Sequence, residues 1–501
     1  MTNLELGFWS FPVLLLMIFL RAPIGLAMLL CGFGGWFLAM GGNPAPLMAK
    51  LKTETYTTFS SYSLSIIPMF LLMGQFATLS GMSQALFRAA ESFLGHRRGG
   101  VAMSAVGACA GFGAICGSSL ATAATMSKVA LPELKRYGYS GGFSTATLAA
   151  GGTLGILIPP SVILVIYAIL TEQNIAKLFL AAFIPGILAA LGYILTISLY
   201  VRLNPDAAGT RAPVPMGERF KALAETWPVL VIFGVVVGGI YAGWFTPTEG
   251  AAVGAAGTGL AALLAGSLNW QVLKDSLFGT ARTTGMIFFI VLGASFYNGF
   301  LALSGVPQFM ADWVLAQGYS PWLVLCVILV FYLIFGCLMD SLSMILLTVP
   351  IFFPVISAMD FGFVELASLQ ADAARAALAN AEIVAAMTAE MLDSIRTAIA
   401  TGAELTRDQM RALDINITQG RANRIEAEMV AIWFGILVLI VVEVGLITPP
   451  VGLNLFIINS MDRDTPMGQT YRAVLWFVGS DILRVGVLVA FPSITLFLLA
   501  L

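Results

Sequence analysis

Apolar runs of about 20 residues, the length at which an α-helix crosses a bilayer, recur from one end of this 501-residue chain to the other. Backbone polar groups in hydrocarbon must be satisfied inside the protein, so runs of this length restrict the chain to a bundle of membrane helices. Composition agrees: 59% of the residues are hydrophobic and 10% charged, outside the globular range. The first run, Phe8 to Leu20, lacks a basic n-region and a small-residue cleavage site and is followed at once by a second, so it reads as a retained span.

Ten spans are expected, at 6–20, 23–40, 64–80, 143–169, 176–201, 227–244, 250–267, 283–303, 431–459 and 473–499. Two further apolar stretches, 102–131 and 320–357, carry polar or small residues at their centres, Cys116-Gly-Ser-Ser-Leu-Ala-Thr122 and Met339-Asp-Ser-Leu-Ser-Met344. Each reads as a re-entrant helical hairpin that enters and leaves on one side. Two of the spans contain a proline pair, in Gly155-Ile-Leu-Ile-Pro-Pro160 and Gly445-Leu-Ile-Thr-Pro-Pro450. A proline pair removes two N–H donors and clashes with the preceding turn, which breaks a helix.

The same order appears twice. Leu79-Ser-Gly-Met82 with Gln84 matches Leu303-Ser-Gly-Val306 with Gln308, each between an apolar helix and an amphipathic one. A hairpin, a proline (Pro132 or Pro354) and a broken helix follow in both halves. With the N-terminus outside, most basic residues fall inside, including Arg88, Arg97, Arg98, Lys135, Arg136 and Arg202, while Lys50 and Lys52 fall outside. The halves are then inverted copies, the architecture of secondary transporters. The expected organisation is a single permease domain over 1–501. Within it, 64–201 is the first repeat, 202–282 a connecting loop with scaffold helices, and 283–499 the second repeat. Inside the second repeat lies an Ala-rich, charged insert at 365–428, expected to form one or two amphipathic helices outside the bilayer.

A hairpin tip at membrane depth exposes the carbonyl end of one half-helix and the N–H end of the next, which attract a cation and an anion respectively. Gly117, Ser118, Ser119 and Thr122 at the first tip, and Asp340, Ser341 and Ser343 at the second, add oxygens suited to a hard monovalent cation. The broken helices supply the other walls, with unpartnered carbonyls expected at Gly151, Gly152 and Leu157, and around Thr448 and Gly452 in the second half. Gly117, Ser118, Ser119, Gly155, Pro159, Asp340, Ser341, Ser343, Thr448, Pro449 and Gly452 are therefore assigned to cation binding. Thr122, Pro160, Ser161, Pro450 and Asn454 are assigned to the substrate, and Glu443 to orienting the second broken helix. Each assignment competes with a plainer one. A Pro-Pro kink can be repaired by neighbours, Ser118 and Ser119 can bond back to the preceding turn, and Asp340 can pair with a nearby donor, although an ionisable residue within a membrane is a functional candidate by default.

Other features read as structural. Asp481 and Arg484 are spaced to pair on the last span, Glu249 caps a helix, the hydroxyls of Thr53 to Ser65 form a solvated loop, and the five cysteines are buried small apolar residues. His96, the only histidine, sits in a basic turn and excludes a histidine relay in the core. No metal-ligand cluster, nucleophile–base set or phosphate-binding motif is present, which argues against an enzyme or a primary pump. A net charge of −2 with dispersed basic residues gives no nucleic-acid signal.

The chain resembles the large membrane subunit of the tripartite ATP-independent periplasmic (TRAP) transporters, the DctM type. The stretches that carry the likeness are Arg21-Ala-Pro-Ile-Gly25, Ile67-Pro-Met-Phe-Leu-Leu-Met-Gly74, Gly95-His-Arg-Arg-Gly-Gly100, Gly155 to Ser161, Phe245-Thr-Pro-Thr-Glu-Gly250, Met339-Asp340 and Glu443 to Gly452. It departs from the family in the long insert and in Cys116, where a small or hydroxyl residue is commoner. The resemblance implies an all-α polytopic protein with two re-entrant hairpins and two broken helices, an elevator-type member of the ion-transporter superfamily in the bacterial inner membrane. It implies Na⁺ as the coupling ion, no other cofactor, and an organic anion, usually a carboxylate such as a C4-dicarboxylate or a 2-oxo acid, as substrate. Two partners are implied, a small four-helix membrane subunit of the DctQ type and a periplasmic substrate-binding protein of the DctP type. The nearest alternative is a stand-alone Na⁺-coupled anion transporter of the same architecture. The insert faces the periplasm in this orientation, where it either helps to dock a partner or is a solvated elaboration.

Overall fold

The computed structural model describes residues 1–385 and 387–499; Ala386, Ala500 and Leu501, which fall within the expected insert and domain bounds, lie outside the described residues. The described chain is all-helical. The N-terminal helices are α1 (Asn3–Phe19), α2 (Ile24–Ala39), α3 (Pro44–Ser60) and α4 (Ile66–Leu79), followed by the amphipathic arm α5 (Met82–Leu94). The first hairpin is α6 (Gly100–Cys116) with α7 (Ser119–Arg136), and the first broken helix is α8 (Gly141–Leu157) with α9 (Val162–Thr171). Next come α10 (Ile175–Leu203), α11 (Met216–Ala224), α12 (Trp227–Tyr241) and α13 (Pro247–Leu264).

The second half repeats the first. α14 (Trp270–Ser304) leads into the arm α15 (Val306–Ala316), then the hairpin α16 (Pro321–Gly336) with α17 (Ser341–Ser357). The insert forms α18 (Leu366–Leu378), α19 (Ala381–Ala385), α20 (Ala389–Thr401) and α21 (Arg407–Ala412). The second broken helix is α22 (Gln419–Gly445) with α23 (Leu453–Met461), and α24 (Met467–Ala490) and α25 (Pro492–Leu496) close the chain. Gly81 and Gly305 take the same left-handed turn, φ +76° and +74°, between apolar helix and arm in the two halves. That conformation suits glycine, so the Leu-Ser-Gly repeat marks a real structural copy.

The hairpins point at each other. Lys135, at the base of the first, pairs with Asp462 at 2.5 Å, and Gly99 packs against Ile197 and Val201 near the C-terminal end of α10. At the base of the second, the N–H groups of Phe361, Gly362 and Phe363 donate to Glu426 Oε1 at 2.9–3.3 Å. Two residues on, Glu428 pairs with Lys177 in the first turn of α10, at 2.5 Å. α10 has 29 residues and is therefore about 43 Å long, so the two bases lie a bilayer apart while both tips reach one central cavity. The repeats are inverted.

Within each half the hairpin lies along its broken helix at glycine contacts. A Cβ on Gly113 would stand 2.5 Å from Gly155 Cα, and one on Gly445 would stand 2.5 Å from the carbonyl carbon of Gly336. A buried chain of hydroxyls locks the core further: Thr153 meets the Tyr193 hydroxyl at 3.0 Å, and that hydroxyl donates to Asp481 at 2.8 Å. Arg484 pairs with Asp481 at 2.8 Å, as the i, i+3 spacing predicts. Thr246 and Glu249 form a capping box at the start of α13.

Several expectations change. Four helices, α10, α14, α22 and α24, are long and apolar enough to cross a membrane alone, and three bent pairs raise the number to as many as seven among the described residues. Spans 6–20 and 23–40 become helices of 17 and 16 residues, and 227–244 becomes α12, bent 47° from α11. Most of the Thr53–Ser65 stretch is the second half of α3, because Asn43 caps α3 and Lys50 and Glu54 pair one turn apart along it at 2.8 Å; α3 is bent 51° from the helix that follows. Among the described residues the insert makes four helices rather than one or two, around a small apolar cluster that includes Ala374, Ile395 and Leu413. Cys326 is exposed, unlike the other four cysteines.

Candidate ion and substrate site

The two tips are built differently. At the first, α6 ends on Gly117 in the left-handed conformation, φ +63°, and Ser118 caps α7 by accepting the Ala121 N–H at 3.4 Å. Gly117 abuts the Pro160 carbonyl: a Cβ there would come within 3.0 Å of it. At the second, four residues separate α16 from α17, and Asp340 caps α17. Its carboxylate accepts the Ser343 N–H at 3.1 Å and the Ser343 hydroxyl at 2.6 Å. The competing reading of Asp340 is thus realised in part: both oxygens have a donor from Ser343, and each retains lone pairs.

Glu443 joins the tips. Fully buried near the end of α22, it accepts the Ser341 hydroxyl at 2.6 Å, and the Ser119 hydroxyl faces the same carboxyl. Among the described residues its second oxygen, Oε2, makes no hydrogen bond of close geometry. A carboxyl at this depth is costly to bury, and one that bridges both hairpins does more than orient its own helix.

The breaks fall where the proline pairs stand. Helix α8 continues to Leu157, and the next residues that could donate back along it are Pro159 and Pro160, both cis across their shared bond. Counting four residues back, the two prolines leave the carbonyls of Gly155 and Ile156 without donors, and among the described residues the Leu157 carbonyl, expected to be free, likewise receives no backbone N–H. Gly151 and Gly152 remain inside the helix, which corrects the register expected from sequence. Ser161 caps α9 by accepting the Leu164 N–H at 3.4 Å. In the second half the break runs from Leu446 to Gly452. Thr448 donates its hydroxyl back to the Val444 carbonyl at 2.6 Å, and the Pro450 carbonyl accepts the Tyr471 hydroxyl at 2.7 Å. Gly452 starts α23 with φ +65°, and its carbonyl, expected to be free, accepts the Leu455 and Phe456 N–H groups at 2.9 and 3.2 Å as the first turn of that helix closes on it.

A cavity of about 180 Å³ lies between the tips, lined by Gly117, Ser118, Ser119, Asp340, Ser341 and Thr283, among others. The structure thus gathers five of the residues assigned to the cation. Thr122 and Gly155 stand behind them: a Cβ on Gly155 would meet Thr122 Oγ1 at 2.4 Å and the Ser118 carbonyl oxygen at 2.8 Å. Thr122 Oγ1 is buried and faces the Cys116 thiol. Pro159, Pro160, Ser161, Ser343, Thr448, Pro449, Pro450, Gly452 and Asn454 do not line the cavity. Asn454 is fully buried, donates to the Ala149 carbonyl of α8 at 3.5 Å, and keeps Oδ1 unpartnered, which ties the second broken helix to the first.

Sequence reasoning missed the scaffold side of the cavity, where α4 contributes Leu71 and α14 contributes Thr283 and Ile287. It also missed Gly113 and Gly336. A signal existed: Gly113 precedes Gly117 by four residues, and Gly155 and Gly445 precede their first prolines by four.

Comparison with known proteins decides the family. The sequence model of the Tripartite ATP-independent periplasmic transporter, DctM component, matches residues 11–494. The chain belongs to the DctM family. It is a multi-pass inner-membrane transporter component and not an enzyme. It is 33% identical over 427 residues to the C4-dicarboxylate TRAP transporter large permease protein DctM of Pseudomonas aeruginosa, covering 85% of this chain and 83% of that one. To the sialic acid TRAP transporter large permease protein SiaM of Vibrio cholerae it is 31% identical, covering 60% and 70%. In fold it resembles the Alcanivorax borkumensis YdaH transporter, with a TM-score of 0.55 over 90% of this chain and 89% of that one at 13% identity. Inverted hairpins and broken helices therefore form the membrane-embedded part of a TRAP permease here.

Proposed function

We propose that this chain is the large membrane subunit of a Na⁺-coupled, binding-protein-dependent importer of an organic anion that works by an elevator movement. The observation that carries the reading is the convergence of Ser118, Ser119, Asp340 and Ser341, from opposite hairpins, around one cavity, with Glu443 of a broken helix buried behind them on the Ser341 hydroxyl. Hydroxyl, carboxylate and freed carbonyl oxygens suit a small hard cation, and the exposed N–H ends of α7 and α17 suit a carboxylate. The two relatives carry C4-dicarboxylate and sialic acid in their names, and both compounds bear carboxylates. A C4-dicarboxylate or a 2-oxo acid fits the same chemistry.

The hairpins, broken helices, α10 and α24 pack together as the transport core, and α4 and α14 face it from the scaffold. Moving this core would carry the site across the bilayer. Bound anion offsets part of the bound cation's charge, so a fully loaded core crosses at lower cost than a half-loaded one. The expected partners are a small four-helix membrane subunit against the scaffold and a periplasmic binding protein that delivers the anion. Uptake into proteoliposomes holding both membrane subunits should need a Na⁺ gradient and the binding protein together. Undiminished uptake without the binding protein would replace this reading with a stand-alone transporter.

A further inference from the structure

The turn Gly95-His-Arg-Arg-Gly-Gly100 is one of the stretches that mark the family, yet nothing in the transport site uses it. Three glycines make its shape. A Cβ on Gly100 would sit 1.9 Å from the Leu94 carbonyl oxygen, one on Gly95 would sit 2.6 Å from that of Glu91, and Gly99 is left-handed at φ +75°. Gly99 also lets the turn approach α10: a Cβ there would meet Ile197 at 3.0 Å and Val201 at 3.1 Å. A larger residue at Gly99 would push the turn away from α10.

This close approach has an electrostatic result. Arg97 and Arg98 from the turn and Arg202 from the last turn of α10 line one cavity of about 660 Å³. All three arginines are exposed, and none has an ion pair or a side-chain hydrogen bond among the described residues. The rest of the wall is mainly apolar, with Leu191, Leu195 and Ser198 running up α10 towards the membrane interior. Leu195 also borders a second, more apolar groove of about 570 Å³ between α10 and α24. Three unpaired guanidinium groups at the membrane surface, above an apolar channel along a lipid-facing helix, match a phosphate head with acyl chains beneath it.

We propose that Arg97, Arg98 and Arg202 form a binding site for an anionic phospholipid, with its head group on the three arginines and an acyl chain along Leu191 and Leu195 of α10. The site joins the base of the first hairpin to α10, both parts of the transport core, and its lipid would travel with that core. It does not depend on which substrate or coupling ion is carried. Charge selects the lipid, because guanidinium groups hold phosphate oxygens in forked pairs, and the apolar channel separates a lipid from free phosphate.

Purified full-length chain in a neutral detergent is titrated with phosphatidylglycerol, with phosphatidylcholine of the same acyl chains, and with inorganic phosphate, and bound lipid is counted by native mass spectrometry. Phosphatidylglycerol should bind more tightly than phosphatidylcholine. Combining Arg97→Gln, Arg98→Gln and Arg202→Gln should weaken it on the order of 100-fold, from the contribution of three basic residues at a membrane surface. The matching Arg→Lys triple variant, which keeps the charge and loses the forked pairing, should bind more weakly than wild type and more tightly than the glutamine variant, and Arg472→Gln, outside the cavity, should not change binding. Wild-type binding by the glutamine variant, equal binding of the two lipids, or full displacement of the lipid by inorganic phosphate would each overturn the proposal.

Discussion

Replacing Gly445 by Ala adds one methyl group where two backbones touch. The new Cβ would stand 2.5 Å from the Gly336 carbonyl carbon, 2.6 Å from its Cα and 3.0 Å from the Cys337 nitrogen. Carbon atoms prefer about 3.5–4 Å, so α16 and α22 must part by roughly 1 Å; no side chain can turn aside instead. Overpacking of this kind costs about 1–3 kcal/mol, and the gain from removing a glycine from a helix offsets up to about 1 kcal/mol. A net cost of about 1–2 kcal/mol falls on the contact that positions Asp340 and Glu443. If cation binding requires that contact, the apparent Na⁺ affinity of uptake drops about 5- to 30-fold. Gly113→Ala should do the same from the other half, since its Cβ would meet Gly155 Cα at 2.5 Å. Gly107→Ala is the control, because nothing lies within 4 Å of its added methyl, and its Na⁺ dependence should stay at the wild-type level. A Na⁺ titration of uptake in proteoliposomes, with thermal melts of each variant, measures all three. Gly445→Ala and Gly113→Ala behaving like Gly107→Ala would refute the claim that these glycine contacts set the geometry of the tips.

Three further outcomes follow from single contacts. Lys135→Gln removes the cation from the buried Asp462 carboxylate, which keeps the Thr465 hydroxyl, and should lower stability by about 1–3 kcal/mol; a thermal melt unchanged from wild type would contradict it. Tyr193→Phe removes the donor to Asp481 and the partner of Thr153, with a similar cost, while Leu191→Ala on the same helix, at an exposed position, should cost less. Burial, and next the neighbouring Asp360 carboxyl, push Glu426 above the usual carboxylate range. A raised carboxyl pKa means that the fold favours the neutral form, so its contribution is complete at pH below the ordinary Glu value and is lost as pH rises through the raised one. Relative to Glu426→Gln, the thermal stability of wild type should therefore fall as pH rises, and Asp360→Asn should move that fall to lower pH; a difference between the two that does not change with pH would contradict it.

Much of the architecture is legible because it is written locally. Proline pairs break helices wherever they stand, and small polar residues in the middle of an apolar run mark a tip, so both hairpins and both broken helices lie where the letters place them. The Asp481–Arg484 pair and the Glu249 cap are likewise matters of spacing three residues apart. What escaped is non-local. Glu54 accepts a hydrogen bond from Ser295 on α14 at 2.5 Å, so the polar face of α3 is partly satisfied within the protein, and its hydroxyls resembled a solvated loop when read alone. Glu443 reads as a helix-orienting residue until Ser341, 102 positions away, is found on its carboxyl. Gly113 and Gly336 look like ordinary small residues until a second backbone lies against them. In the insert, caps at Thr388 and Thr406 and the left-handed Gly402 divide one polar pattern into several helices.

The central claim is that the two hairpin tips bind the coupling cation, and the most direct measurement is a Na⁺ titration of anion uptake by wild type, Ser118→Ala and Asp340→Ala, each assembled with its partner subunits. Both substitutions should shift the curve to higher Na⁺, with the larger shift for Asp340→Ala, which removes a carboxylate from the cavity wall. Unchanged Na⁺ dependence in both variants would contradict the assignment of the tips.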